Sequence, residues 1–384
     1  MGTCRRLLLL LLVLYLGGSA YRICVRRYHI WLPDYVRWSL QREAQPMRPV
    51  HVFFLVADHF EPATRQDFLA RWEREYPRLA DRHRDSNGRA AQHTWFYPGE
   101  QPINSNLEAL RRLVAGGYGE VELHYHHGGD SIESARRKFS AAIEWFQHYG
   151  FLRTADGRTN FAFVHGNWAL DNSEDPSRCG VNRELALLRE LGCFADFTFP
   201  ALWREAQPAW VNRIAMATDD EKPKSYDRSA PVRVGSAPSG DLLIFQGPLQ
   251  IYPVWDPRWL WWRVEDGDIH PSVPVNERRV DLWIRANIHV SGKPDWIFVK
   301  VHGHGASSDG DAGEFLGRHF DRALSHLESR YNDGVNYILH YVTAREAYNL
   351  ICAAEAGVTG QPERYYDYVI KPYVANAGSH TASK

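Results

Sequence analysis

Short apolar runs alternate with amphipathic stretches along the chain from residue 49 to about residue 352. The apolar runs have the length and residue types of strands and cover residues 51–57, 93–97, 121–126, 160–165, 194–199, 242–245 and 296–302, with 336–342 as a possible eighth. Apolar residues recur at helical spacing in 65–82, 104–115, 132–149, 182–191 and 314–331. This alternation predicts an α/β fold in which helices surround a parallel sheet, closed into a regular or distorted (β/α) barrel of seven or eight units.

The stretch from about residue 203 to residue 292 interrupts the alternation and predicts a long insertion with little regular structure around one strand. It is rich in Trp and Pro, with Trp255, Trp259, Trp261 and Trp262 close together. Aromatic rings offer flat apolar faces on which sugars can stack, which would make the insertion a carbohydrate platform. The same rings could instead bury a long loop or touch a membrane surface. The sequence leaves both interpretations open.

The amino end carries a hydrophobic segment of the kind that directs export. Arg5 and Arg6 precede residues 7–16, which are all apolar or Tyr, and small residues fill positions 17–20. At 1.5 Å per residue, residues 7–21 would span about 22 Å, short of a hydrocarbon core of roughly 30 Å. We interpret residues 1–21 as a signal peptide or signal anchor and residues 22–48 as a membrane-proximal segment. The expected location is the periplasmic or extracellular face, with the protein anchored in the membrane.

Composition favours one large domain and gives no reason to expect nucleic acid as a partner. The 384 residues are 44% hydrophobic, and 45 basic residues balance 46 acidic ones for a net charge of -1. We place the main domain at residues 49–352 and a carboxyl-terminal tail at 353–384. Among five cysteines, Cys179 and Cys193 are the one pair that could bridge, and the absence of a Cys-x-x-Cys motif excludes a zinc knuckle.

Ligand-type side chains stand at the carboxyl ends of three predicted strands. These are Asp58 and His59, His124 and His126, and His302 and His304. Residues two apart in a strand point to the same face, so each His-x-His pair can direct two imidazoles at one point. In barrel enzymes the chemistry lies at this end of the strands. The pattern therefore predicts a metal site to which three strands contribute.

These motifs resemble, at a distance, those of the NodB-homology polysaccharide deacetylases, carbohydrate esterase family four. The resemblance covers roughly residues 50 to 305. Family members open with a strand that ends in two adjacent acids, a catalytic base and a metal ligand; here Asp58 takes the first place and His59 the second. The family's next motif has two metal-binding histidines four apart after a strand. The similar strand end here reads His124-Tyr-His126-His127-Gly-Gly-Asp130, so the spacing departs from the family's.

Later segments continue the resemblance in the same order along the chain. Trp168-Ala-Leu-Asp171 and the helix and strand that lead to Asp196 and a Phe-Pro end are similar to family segments. The run Val299-Lys-Val-His302 is similar to the family's last strand, which ends in a histidine that assists as an acid.

The resemblance implies metal-assisted hydrolysis of N-acetyl groups on a cell-surface or exported polysaccharide. Asp58 would be the catalytic base, and His302 would protonate the departing amine. A divalent metal, with zinc favoured by imidazole-rich ligation, would be held by His59, His124 and His126.

The altered spacing leaves further residues as candidates for this site. His127 and Asp130 are alternative ligands, and His304 could orient His302 or bind the substrate. Trp168 and Asp196 could line the cleft.

Two other functions are compatible with the same strand ends. A glycoside hydrolase on a related barrel would pair Asp58 with Asp196 or Asp171 across the scissile bond. A non-catalytic, carbohydrate-binding descendant of a deacetylase would explain the changed motif spacing and the Trp-rich insertion.

Overall fold

The computed structural model of this chain is a mixed α/β structure built on a large, mostly parallel sheet, as the alternation predicts. It describes residues 2–41, 49–236 and 239–376. The strands are β1 (Val50–His59), β2 (His93–Pro98), β3 (Gly119–Tyr125), β4 (Phe161–His165), β5 (Cys193–Asp196), β6 (Ile214–Ala217), β7 (Ala230–Pro231), β8 (Leu242–Phe245), β9 (Gln250–Pro253), β10 (Trp262–Glu265), β11 (Asp268–Ile269), β12 (Trp296–Gly303) and β13 (Tyr337–Tyr341).

The α-helices include those that the apolar spacing predicts. They are α1 (Gly2–Val25), α2 (Leu32–Leu40), α3 (Gln66–Ala80), α4 (Asn104–Ala115), α5 (Ile132–His148), α6 (Glu184–Glu190), α7 (Glu277–Arg285), α8 (Asp309–Leu316), α9 (Arg318–Tyr331) and α10 (Ala344–Glu355). One helix predicted over 314–331 is in fact divided between α8 and α9. Gly317 separates them because its backbone is extended (φ -102°, ψ -175°).

Parallel pairing joins most of the sheet in the order β11-β12-β1-β2-β3-β4-β5-β8. β6 and β7 extend it beyond β8 with antiparallel pairing, while β13 pairs with the first half of β1. β9 and β10 form a separate antiparallel hairpin. Because β12, β1, β2 and β3 are parallel neighbours, their carboxyl ends lie along one edge.

Successive side chains of β1 enter two different cores, one on each face of the sheet. Val52 and Phe54 pack against helices on the outer face, whereas Phe53 belongs to a second, inner core. In that inner core the ring of Phe298 in β12 lies 6.1 Å from the ring of Phe245 in β8. These two strands are distant in the sheet order, so their contact shows that the sheet is rolled around the inner core.

The Trp-rich stretch 203–292 contains more regular structure than its sequence predicts. Besides β8 it contains β6, β7, β9, β10, β11 and α7. The added strands are only two to four residues long, too short for a hydrophobic period to stand out.

Part of the segment predicted as a carboxyl-terminal tail packs on the main domain. α10 continues past residue 352 to Glu355, and the buried Tyr373 donates its hydroxyl to Glu122 Oε1 at 2.8 Å. Packing therefore extends to at least residue 376, beyond the boundary predicted at 352. Residues 377–384, like residues 42–48 of the membrane-proximal segment, lie outside the described residues.

α1 is the one described helix that is long and apolar enough to cross a membrane. Its span Cys4–Val25 has 22 residues with a mean hydropathy of 2.0, and none of its most apolar stretch is buried in the protein. Such a helix is about 33 Å long, longer than the apolar residues 7–21 alone suggest. A cleaved signal sequence and a membrane anchor both have these properties.

Candidate metal centre

The end of β1 divides Asp58 and His59 between the two faces of the sheet. His59 continues the inner series of Phe53, and both its ring nitrogens are buried without a hydrogen-bond partner among the described residues. Unpaired buried nitrogens are costly, and a metal ion is one partner that would satisfy them.

Asp58 faces outward and belongs to neither group of ligand side chains around Glu61. Its Oδ1 accepts a hydrogen bond from Gly305 N at 2.6 Å, and its Oδ2 lies 3.0 Å from His93 Nε2. The carboxylate is fully buried beside Trp72 of α3. Alternation along the strand explains the separation from His59, and this position does not support the predicted role of Asp58 as base.

His124 and His126 lie on one face at the end of β3, as their spacing predicts. Their ring centroids are 4.6 Å apart. His126 Nδ1 lies 2.6 Å from Glu100 Oε1, which orients the ring, while His124 is fully buried. The centroids of His124 and His59 are 5.0 Å apart, so β1 and β3 deliver imidazoles to the same place.

The carboxylate of Glu61, two residues past His59, lies close to the imidazole rings at these strand ends. Its Oε1 lies 3.2 Å from His124 Nε2, 3.9 Å from His126 Nε2 and 4.0 Å from His304 Nε2. Burial alone would raise the pKa of Glu61, but the nearby His124, His304 and His126 outweigh it and lower the pKa to about 2. The carboxylate is therefore charged at neutral pH.

The sequence patterns did not identify Glu61 as a site residue because it lies beyond the predicted strand. The alternation of side chains between two faces gives no direction for a residue outside a strand. Its spacing from Asp58, in Asp58-His59-Phe60-Glu61, was the available sign that the strand end carries a second acid.

The end of β12 adds His302 and His304 to the same place. The His304 ring lies 4.8 Å from that of His59 and 5.7 Å from that of Trp168, so Trp168 also borders the cluster. His302 lies deeper, with its ring 6.4 Å from that of His59. Burial and the nearby Lys300 lower the pKa of His302 well below its ordinary value, so its ring is neutral near pH 7.

This donor set fits a divalent transition metal. Two groups of three, His59 with Glu61 and His304, and Glu61 with His124 and His126, each bring their ligand atoms within 4.8 Å of one another. Two imidazoles and one carboxylate form a ligand set known from catalytic zinc sites, which leave one position open. We call these five residues the rim cluster.

A cleft of about 400 Å³ opens beside the rim cluster. His302, His304, Trp168, Trp203, Asp266 and Asp268 are among the residues that line it. Burial, together with Asp268 and Glu265, raises the pKa of Asp266 to about 7. Burial also raises the pKa of Asp268 to about 6. These acids were not singled out from the sequence, because Asp266-Gly-Asp268 reads there as an ordinary turn.

Asp196 and Asp171 lie away from this cleft. Asp196 is fully buried and accepts hydrogen bonds from Thr198 N and Oγ1. Asp171 is buried, accepts a hydrogen bond from Ser225 N at 2.6 Å, and has its pKa raised to about 9, mainly by burial. Neither residue pairs with Asp58 across an open cleft, as the glycoside hydrolase alternative requires.

His127 and Asp130 belong to a second cluster on the outer side of the sheet. His127 Nε2 lies 2.8 Å from Glu184 Oε1, and His127 Nδ1 lies 3.2 Å from Asp130 Oδ2. His165 and Cys179 complete a buried His/Cys/Glu group that could hold a metal ion. Cys179 and Cys193 are both free thiols, so the bridge considered from the sequence is not formed.

Comparisons with known proteins add no relative: no family model, no curated protein and no solved structure matches this chain.

Proposed function

We propose that this protein is a metal-dependent hydrolase that removes N-acetyl groups from a cell-surface or exported polysaccharide. The observation that carries the proposal is the convergence of four imidazoles, from His59, His124, His126 and His304, on the single carboxylate of Glu61. A partly buried charge surrounded by imidazoles is typical of a metal-binding or catalytic site. The distant resemblance to NodB-homology deacetylases supplies the reaction class.

Glu61, His124 and His126 are the proposed ligands, with zinc as the preferred ion. A ring nitrogen of His59 lies within 4.8 Å of the Glu61 carboxylate, so His59 can complete the coordination. Glu61 thereby takes the ligand role that the family resemblance assigned to His59. When bound, the ion supplies Lewis acidity toward the acetyl carbonyl oxygen.

Two groups in the cleft can handle the protons of the reaction. Asp266 can accept a proton at an Oδ atom near neutral pH, because its pKa is raised to about 7. His304 borders the cleft with 27% of its side chain exposed, so its ring nitrogens can contact the departing amine. His302 is less suited to the acid role because its low pKa leaves it neutral, and in this proposal it positions His304 and the substrate.

Trp168 and Trp203 give the cleft aromatic walls on which a sugar ring can stack. Arg204, which also lines the cleft, lies over the face of Trp168, 5.0 Å from its centroid. The aromatic walls support a carbohydrate as the substrate.

The proposed enzyme is exported and held at the membrane by α1. The Trp-rich hairpin of β9 and β10 packs along this helix: the Trp261 ring stacks on Tyr15 at 5.8 Å, and Arg22 donates hydrogen bonds to Trp259 O and Trp262 O. Trp255 is fully exposed at the same tip. Exposed Trp beside an apolar helix is typical of a membrane interface.

The proposal also includes a distorted barrel of seven or eight units as the scaffold. Backbone hydrogen bonds from Phe298 N to Ile288 O and from Ser291 N to Val232 O connect β12 with the segment that follows β7. These bonds bring the two ends of the sheet together through irregular backbone, which supports closure.

The test uses the full chain in detergent micelles with an N-acetylated polysaccharide. We expect acetate release that stops when a chelator removes the ion and returns with zinc. Acetate release that is indifferent to the chelator would contradict the metal-dependent reaction. New reducing ends without acetate would favour the glycoside hydrolase, and bound metal with neither product would favour a binding protein.

A further inference from the structure

A second group of metal-ligand side chains lies behind the rim cluster, on the outer face of the sheet. The group consists of His127, His165, Cys179 and Glu184, and all four side chains are fully buried. We call it the inner clamp because it is more deeply buried than the rim cluster. Their ligand atoms lie within 4.8 Å of one another. Two imidazoles, a thiol and a carboxylate are each common zinc ligands, and four of them complete a tetrahedron.

We propose that the inner clamp binds a second transition-metal ion, of the zinc class, as a closed structural site. All four positions of a tetrahedral ion would be taken by the chain, which leaves none for a substrate or water. Two neutral imidazoles, one thiolate and one carboxylate carry a charge of about -2, which balances a divalent cation.

The distances from Glu184 to the other three side chains fit a metal site. Glu184 Oε1 lies 2.8 Å from His127 Nε2 and 3.7 Å from His165 Nε2, and Glu184 Oε2 lies 3.3 Å from Cys179 Sγ. The separation of 3.7 Å is too long for a hydrogen bond, and His165 Nε2 is buried without a hydrogen-bond partner among the described residues. An ion pair between His127 and Glu184 therefore does not explain why His165 Nε2 is buried beside them.

Residues around the four proposed ligands make the kind of supporting hydrogen bonds that metal ligands usually have. Asp130 Oδ2 lies 3.2 Å from His127 Nδ1, so a proton there leaves Nε2 free to bind a metal. Lys138 Nζ donates to both oxygens of Asp130 at 2.8 Å. Val181 N donates to Cys179 Sγ at 3.5 Å, a contact that favours a thiolate.

His165 must change its proton position when the ion binds. Its Nδ1 accepts a hydrogen bond from Asn167 N at 3.2 Å, which leaves the ring proton on Nε2. Ligation at Nε2 moves that proton to Nδ1 and ends the bond from Asn167. The thiol of Cys179 loses its proton to solvent at the same time, so uptake of the ion releases acid.

The clamp connects three segments that shape the rim cluster. His127 adjoins His126, His165 lies three residues before Trp168, and Cys179 and Glu184 lead into α6. Asn167 Nδ2 already donates to His127 O at 2.8 Å and to Arg178 O at 3.1 Å. A Cβ at Gly180 would come within 2.6 Å of Asp130 O, so these backbones are in close contact. An ion here would hold His126 and Trp168 in place.

The test is a cobalt titration of the full chain, in detergent, after its metals have been removed. Cobalt bound to a thiolate gives an intense charge-transfer absorption in the near ultraviolet, which ligation by histidine and carboxylate alone does not give. We expect the wild-type band to reach the amplitude of one thiolate-bound cobalt per chain. Cys179→Ser should remove it, whereas Cys193→Ser, a change at the other buried cysteine of the sheet region, should retain it.

A second measurement covers the case in which Cys179→Ser does not fold. The zinc X-ray absorption spectrum of the wild type should contain one sulfur scatterer at about 2.3 Å. Absence of both the cobalt band and the sulfur scatterer would overturn the clamp site, as would a band that survives in folded Cys179→Ser.

This inference is independent of the proposed reaction. Replacing His124 and His126 should abolish acetate release and leave the cobalt–thiolate band in place. A band with no acetate release from the wild type would therefore remove the deacetylase proposal only.

Discussion

Glu61 Oε1 and His124 Nε2 lie 3.2 Å apart, and they come from different parts of the chain that meet at the carboxyl ends of β1 and β3. His124 is fully buried, and Glu61 is charged at neutral pH because its neighbours lower its pKa to about 2. A carboxylate and an imidazole this close together can both bind the same cation. The pair is the centre of the rim cluster and the basis of the first two predictions.

Glu61→Gln should impair the rim site. The amide keeps the shape of the side chain but loses the charge that attracts a cation, so zinc should bind there more weakly by at least the 10- to 100-fold that loss of a supporting group costs. Acetate release should fall in parallel. Zinc titration and acetate release on the same preparation check this, with Glu144→Gln, a change on the exposed face of α5, as the matched control. Wild-type zinc affinity in Glu61→Gln would contradict the ligand role.

Changing both His124 and His126 to Ala should remove one ion per chain and leave the fold largely intact. Both side chains lie at the end of β3, so the packed cores lose little when they are shortened. Elemental analysis together with far-ultraviolet circular dichroism tests this prediction. Metal content equal to that of the wild type in the double variant would show that His124 and His126 are not metal ligands.

Asp58→Asn should act on stability more than on catalysis. The sequence suggests a base whose loss costs roughly two to four orders of magnitude in rate. In the structure Asp58 is bonded to Gly305 N and His93 instead. Disturbing these buried hydrogen bonds should lower the free energy of unfolding by about 1–3 kcal/mol. Denaturant titration and acetate release per folded molecule separate the outcomes, and a stable but inactive variant would restore the catalytic role.

His83 should make stability depend on pH. Burial alone would lower its pKa, but Glu328 and Asp321, 3.2 and 3.1 Å from its two ring nitrogens, outweigh burial and raise it. A raised folded-state pKa means that the stabilisation is fully present below the unfolded value of about 6.5 and is lost as pH rises through the folded value. The melting temperature of the wild type should exceed that of His83→Gln by more at pH 6 than at pH 9. An equal difference at both pH values would contradict the assignment.

The Trp-rich hairpin should enter the interface of a bilayer that contains α1. Trp261 stacks on Tyr15, seven residues before Arg22, so its ring lies about 10 Å further into the apolar span than Arg22. Brominated lipids should quench part of the tryptophan fluorescence of the full chain in vesicles. Trp255→Ser combined with Trp261→Ser should lose most of that quenching, and Trp145→Phe, on α5, should retain it. Unchanged quenching in the double variant would place the hairpin in water.

The sequence by itself determined the features that depend on local periodicity. Short apolar runs predict the strands from β1 to β5, β8, β12 and β13, and helical spacing predicts α3 to α6. The same-face position of His124 and His126 follows from the period of two within one strand, and it needs no knowledge of the rest of the chain. The parallel α/β arrangement follows from the order of these elements.

Only the tertiary structure decided which side chains share a site. Alternation shows that Asp58 and His59 face opposite ways, but not which of them faces the inner core, because both faces of β1 are apolar and buried. Glu61 lies past the strand, and Asp266 belongs to a segment whose strands are too short to show a period. His127, His165, Cys179 and Glu184 lie up to 57 residues apart in the chain and meet because β3 and β4 are neighbours. Local sequence patterns fix direction within an element, whereas the contacts between elements depend on how the sheet rolls and its loops pack.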